Sequence, residues 1–221
     1  MKKIKEFVKK KALQQIVYLS IILASSYGVL DLIGICNGTF NGQQLAYYTI
    51  LSNTIICCFY IFSFFYNARR EEEQKIIVTP FFLNIKGALT LMILVTGLIY
   101  HVLLVPNLAA TFPDGLNPFS NFLVHTFVPA LVLSDWLLFV RVDNIKILFP
   151  VRWLSIPLGY WIFSILYSSF RIPFYGTGSF YAYFFIDSNL LGWPKVFLNV
   201  LELSAFFLIL GYILKFVKFR R

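Results

Sequence analysis

Six long apolar stretches dominate the chain, at residues 14–36, 46–66, 85–105, 120–141, 151–170 and 195–216. A hydrocarbon layer about 30 Å thick is crossed by roughly 20 residues of α-helix. Lipid offers no partner to an open backbone polar group, so each stretch must close its hydrogen bonds within itself. The expectation is an all-α polytopic membrane protein, a six-transmembrane-helix bundle forming one domain over residues 1–221. Charge content agrees: 13% of the residues are charged, about half the 25% or so of a soluble domain. No internal repeat or low-complexity linker divides the chain.

The charges that remain are not scattered. Of nineteen Lys and Arg residues, seventeen fall at the N-terminus, at the C-terminus, or near the junctions between the second and third and between the fourth and fifth stretches. Only Arg171 and Lys195 fall on the opposite side. By the positive-inside rule both termini are cytoplasmic. The net charge of +9 therefore reflects membrane topology and does not imply a nucleic-acid partner. Basic residues up to Lys11 followed by an apolar run imitate a signal peptide, but the run is too long for a cleaved one. Leu32-Ile33-Gly34-Ile35-Cys36 resembles a lipoprotein cleavage box, with Ile35 standing where a small residue is required, so an uncleaved first span is expected. Cys36, Cys57 and Cys58 form no CxxC pair and suggest neither a disulfide framework nor a thiolate metal site.

On the outer side, 37–45 is polar and uncharged, and 106–119 carries Pro106, Pro113, Gly115 and Pro118. The 171–194 segment is aromatic, including Phe174, Tyr175, Tyr181, Tyr183, Phe185 and Trp193. It is either an interfacial flap over the bundle or an aromatic belt at the headgroups.

Polar residues inside membrane spans are expensive and mark functional sites by default. Asp31, the trio Thr49, Ser52 and Asn53, His101, His125 and Glu202 come from five different spans, and all fall in the outer leaflet; Asp135 alone lies in the inner half. A common depth implies one outward-facing polar chamber. Thr49 and Asn53 stand four apart and share a helix face with Ser52. Within Asn121-Phe122-Leu123-Val124-His125-Thr126-Phe127-Val128-Pro129, Pro129 has no N–H to give the His125 carbonyl, so a bend is expected beside the imidazole. Asp135 is ten positions on, about 15 Å deeper by helix geometry, too far to orient that ring. Asp31, Asn53 or Glu202 remain the polar groups near enough in depth. Each residue also has a plainer use: Thr49 bonding its own helix, Asp31 and Glu202 closing interhelical networks, Asp135 closing the cytoplasmic side.

Tyr47-Tyr48-Thr49-Ile50-Leu51-Ser52-Asn53 and His125-Thr126-Phe127-Val128-Pro129, with an acid at Asp135 and Pro173-Phe174 before the last span, resemble the androgen-induced, androgen-dependent membrane hydrolase family. The likeness covers most of the chain, including span number and loop pattern, although each motif is short. It implies an intramembrane threonine hydrolase of fatty acid esters of hydroxy fatty acids, with Thr49 as nucleophile and His125 as the essential histidine. Histidine is the usual base for such a hydroxyl, and Asn53 or Ser52 are candidate oxyanion donors. The resemblance implies no catalytic role for Asp31, His101 or Glu202, which stand, from the residues alone, as supporting or substrate-binding candidates. No cofactor or metal is expected; the expected partners are a lipid ester and membrane lipids, in the cytoplasmic membrane of a bacterium.

Two other classes remain open from the residues alone. An outward chamber of carboxylates and histidines also suits a transporter or sensor, though no Gly/Pro-broken helix pair is visible. His101 and His125, from consecutive antiparallel helices, are placed to bind haem, or a metal together with Asp31 or Glu202.

Overall fold

The structure is a computed structural model describing residues 2–69, 80–107, 117–140, 145–174 and 177–219, without the side chains at 2–7 and 218–219. Arg70, Lys75, Pro113, Gly115, Arg141, Tyr175, Arg220 and Arg221 lie outside the described residues.

Among the described residues all regular structure is helical, and six helices are long and apolar enough to cross a membrane. Numbered spans 1 to 6, they are Val8–Leu32, Tyr48–Ala68, Pro80–Asn107, Pro118–Phe139, Phe149–Ser169 and Trp193–Val217. The protein is thus an integral, multi-pass, six-helix bundle.

Span 1 ends at Leu32 rather than at residue 36, and the cause is local. Gly34 takes φ +84°, its N–H donates to the Asp31 carbonyl at 2.9 Å, and the Ile35 N–H donates to Leu30 at 2.9 Å. This is a glycine-terminated C-cap, and an L-residue there would meet backbone strain. The stop leaves Asp31 in the final turn, at the bundle's outer end. At the other end the basic N-terminal residues continue the helix from Lys2. The Lys11 ammonium donates to the Ala68 carbonyl at 3.0 Å, supplying a cation to the C-terminus of span 2.

Lys86 corrects the charge map. The sequence placed it among the flanking basic residues, but it lies within span 3, 4% exposed. It is ion-paired with Asp135 of span 4, and the Tyr60 hydroxyl donates to the same carboxylate at 2.8 Å. Asp135 is thus buried in the inner half with Lys86 as its counter-charge. The Lys86 ammonium also lies 5.7 Å from the Tyr18 ring centroid; Tyr18, Met92, Trp136 and Trp153 belong to one buried cluster, with the two indoles edge to face at 6.1 Å.

Spans 1 to 4 supply the centre, where Ile21, Ile56, Ile93 and Val124 are fully enclosed. Spans 5 and 6 lie outside it, with 22% and 17% of their apolar windows buried against 50% for span 4. The segment after span 5 folds inward: Phe174 and Tyr181 are buried, and Phe174 packs on Tyr47 and Tyr167 with ring centroids 4.9 Å apart in each pair. It covers the outer end of the bundle as a flap, while Phe184 and Trp193 stay exposed.

Candidate functional site: a threonine and a histidine under an aromatic flap

Span 4 is not a uniform α-helix. Leu123–Phe127 form one π-helical turn, closed by the Val128 N–H on the Leu123 carbonyl. Such widened turns recur at functional sites and relieve a broken hydrogen-bond ladder. Pro129 follows two residues later and lacks the donor that would hold the His125 carbonyl. That carbonyl turns toward span 3, where a Cβ on Gly97 would stand 2.6 Å from it and 3.3 Å from the Pro129 ring. Only glycine gives span 4 room to approach here. Span 3 has its own π-helical turn at the same level, Tyr100–Leu104. The two widened turns face each other and bring the rings of Tyr100, His101 and His125 together.

The imidazole of His125, 6% exposed, is held from three directions. Its Nδ1 lies 3.1 Å from the Asn121 carbonyl oxygen. A carbonyl only accepts, so Nδ1 carries the proton and, in the neutral ring, Nε2 carries the lone pair. The Tyr100 ring stacks on one face, with centroids 3.7 Å apart and planes 10° apart. Nε2 points to the Thr49 hydroxyl at 3.1 Å. A hydroxyl facing an oriented imidazole lone pair is the arrangement in which a base draws a proton from a nucleophile.

Thr49 sits in the first turn of span 2, whose helix begins at Tyr48 with no side-chain cap on Tyr47. The first amide groups of a helix have no partner within it and carry the positive end of its dipole. From the flap, the Tyr183 hydroxyl oxygen accepts from the backbone N–H groups of Tyr48 and Thr49 and bonds the side-chain hydroxyls of Thr49 and Tyr160. Burial pushes its pKa up to about 12, and those hydrogen bonds offset part of the rise. Tyr183 thus remains a phenol, able to donate, at any ordinary pH.

The other sequence candidates divide. Asn53 donates to the Thr49 carbonyl at 2.9 Å and to the Val124 carbonyl at 3.3 Å, tying span 2 to the π turn of span 4. The Ser52 hydroxyl bonds the Thr49 carbonyl at 3.1 Å and the Thr96 hydroxyl at 2.9 Å. Both side chains are spent between helices, so neither presents a donor beside the Thr49 hydroxyl. Asp31 lines the chamber and accepts from Asn117 at 2.8 Å and Ser120 at 2.5 Å, both on Oδ2. His101 is exposed and pairs its Nε2 with the Thr126 hydroxyl at 2.9 Å. Glu202 is exposed on span 6 and lines neither cavity.

The two histidines thus address different threonines, and no group of three His, Cys, Asp or Glu side chains suited to a metal forms among the described residues. Tyr100, Asn121 and Tyr183 belong to the site but were not singled out as candidates. An aromatic residue at a span's outer end reads as interfacial until its neighbour is known.

Two cavities meet at this point. A chamber of about 700 Å³ opens on the outer side and is lined by Thr49, His125, Tyr100 and Asn121 with flap residues. An apolar slot of about 80 Å³ lies among spans 3, 5 and 6.

Comparison of the chain with protein-family models, curated proteins and solved structures finds no significant match in any of the three.

Proposed function

We propose that this protein is a membrane-embedded hydrolase of lipid esters, with Thr49 as nucleophile and His125 as general base. The observation that carries the reading is the 3.1 Å approach of Thr49 Oγ1 to His125 Nε2. It joins residues from two spans whose helix ends are otherwise shaped by separate causes. The resemblance of the Thr49 and His125 motifs to the androgen-dependent membrane hydrolases points to the same chemistry. A bacterial cytoplasmic membrane is the proposed setting, with the chamber facing outward.

In this mechanism His125 Nε2 takes the hydroxyl proton as Thr49 Oγ attacks the ester carbonyl carbon. The carbonyl oxygen becomes an oxyanion beside the Tyr183 hydroxyl, a donor held in place before the reaction. The bond to the leaving oxygen then breaks, and the imidazolium returns its proton to the departing alcohol. Water from the chamber, deprotonated by His125, attacks the acyl-threonine and releases the acid; the proton goes back to Thr49. Asn121 holds the imidazole tautomer throughout, and Tyr100 holds its plane.

The test is hydrolysis of a panel of fatty acyl esters by the purified chain in detergent, beside Thr49→Ala and His125→Ala. Loss in both variants, with thermal unfolding unchanged, is the expected result. Full activity in folded Thr49→Ala would remove the covalent step. A transporter, by contrast, needs a route inward. Below Thr49 the bundle is filled by the Lys86–Asp135 pair, Trp136 and Trp153, so uptake into vesicles without ester hydrolysis is the result that favours transport.

A further inference from the structure

The outward chamber and the apolar slot share a wall made of Thr49, Leu104 and Tyr183. An ester held at Thr49 is therefore divided between two unlike environments. On the slot side the boundary includes Ile99, Pro157, Trp161, Val200 and Phe207. These surfaces accept a hydrocarbon chain and nothing charged. The slot has room for a few methylene groups, and the rest of a longer chain continues into the lipid around spans 5 and 6.

The chamber side is polar and one-signed. Its lining includes the side-chain amides of Asn37, Gln44, Asn117 and Asn121. It also includes the carboxylates of Asp31 and Asp187, and no Lys or Arg among the described residues. Both carboxylates are already stabilised by neutral donors. Asp187 accepts from the Ser179 hydroxyl at 2.6 Å and from the Asn189 and Leu190 amides at 2.8 and 3.1 Å. Asp31 takes Asn117 and Ser120 on Oδ2, which leaves Oδ1 to accept from a ligand. A headgroup placed here meets amides that both give and accept hydrogen bonds, and an acceptor at Asp31. Hydroxyl groups satisfy all of these. A carboxylate or phosphate finds no cation and two like charges, an arrangement that rejects it.

Resting on the hydrolase reading, we infer that the substrate is a single-chain acyl ester of a neutral polyhydroxyl alcohol, of which a monoacylglycerol is the simplest. The chain occupies the slot, the ester lies at Thr49, and the polyol occupies the chamber with a hydroxyl on Asp31. This separates the protein from hydrolysis of esters whose alcohol part bears a free carboxylate.

The experiment compares kcat/KM of the purified full chain on four oleoyl esters: monooleoylglycerol, the oleoyl ester of a hydroxystearic acid, oleoyl lysophosphatidylglycerol and oleoylcholine. The expected result is a preference for monooleoylglycerol over both anionic esters of at least about tenfold, the scale of a desolvated like-charge contact. In Asp31→Asn that ratio narrows. Equal or better rates on either anionic ester, or on the choline ester, overturn the inference while leaving the hydrolase reading intact. An unchanged ratio in Asp31→Asn overturns the part assigned to Asp31. No hydrolysis of any of the four by a folded protein removes the hydrolase reading, and this inference with it.

Discussion

The Tyr100 ring lies flat on the imidazole of His125, with centroids 3.7 Å apart and planes 10° apart. The contact exists because two π-helical turns, Tyr100–Leu104 and Leu123–Phe127, face each other across spans 3 and 4. A regular turn in either helix would rotate one ring away from the other.

Stacking of this kind is worth about 0.5–1.5 kcal/mol beyond burial, or roughly 2- to 10-fold in a rate that depends on the ring's orientation. Tyr100→Phe keeps the stack and is expected to keep esterase activity within about twofold. Tyr100→Ala is expected to lower kcat by up to about tenfold. Equal kcat in wild type and Tyr100→Ala would show that the stack does not orient the base.

Gly97 tests the geometry from the other side. A methyl group there stands 2.6 Å from the His125 carbonyl, so Gly97→Ala must push span 4 away. We expect activity to fall by more than about tenfold, since small misplacements of a catalytic group are costly. Gly159→Ala is the control: nothing lies within 4 Å of a Cβ at that position, and no loss is expected. If Gly97→Ala retains full activity, the close approach is not what sets the Thr49–His125 distance.

Tyr183 tests the flap's part in the proposed chemistry. In the proposed mechanism Tyr183→Phe removes the donor beside the developing oxyanion. We expect kcat to drop about tenfold or more with a smaller change in KM. Because burial holds the phenol's pKa up to about 12, the donor is in its protonated form below that value. The wild-type pH–rate profile should therefore show no loss assignable to Tyr183 through the neutral and mildly alkaline range. A profile in which the Phe substitution abolishes an alkaline limb near neutrality would contradict this.

The Lys86–Asp135 pair makes a stability prediction independent of catalysis. Lys86→Met leaves a buried carboxylate facing lipid-like surroundings and should cost about 3–5 kcal/mol. Lys86→Met combined with Asp135→Leu removes both charges and should recover most of that loss. The measurement is thermal unfolding in detergent. A double variant no more stable than the single would show that Tyr60 and the two tryptophans, rather than charge neutralisation, hold this layer.

How much of this was legible in the residues follows from what each signal encodes. Span number and type are written in apolar length, because lipid penalises every open amide, and the spans differ from expectation mainly at their ends. The end of span 1 at Leu32 needed the positive φ of Gly34, which an isolated glycine in an apolar run does not announce. Thr49 and His125 were visible through depth, a one-dimensional coordinate that periodicity supplies. Rotation about the bundle axis is not in that coordinate. Depth therefore also admitted Glu202, which faces outward, and His101, which turns to Thr126. The same limit hid Lys86: counted by position it belongs to the basic flank, and only the approach of span 4 shows its partner. Asn53 and Ser52 lie at the right level but spend their donors on helix contacts, something hydrogen-bond geometry alone decides.

The layer of Lys86, Asp135, Trp136 and Trp153 has one more consequence. It fills the bundle at the end that carries the basic residues, opposite the chamber lined by Asp31, Thr49 and His125. In the proposed orientation, a substrate of this chamber would be supplied from the side of the membrane opposite the basic residues.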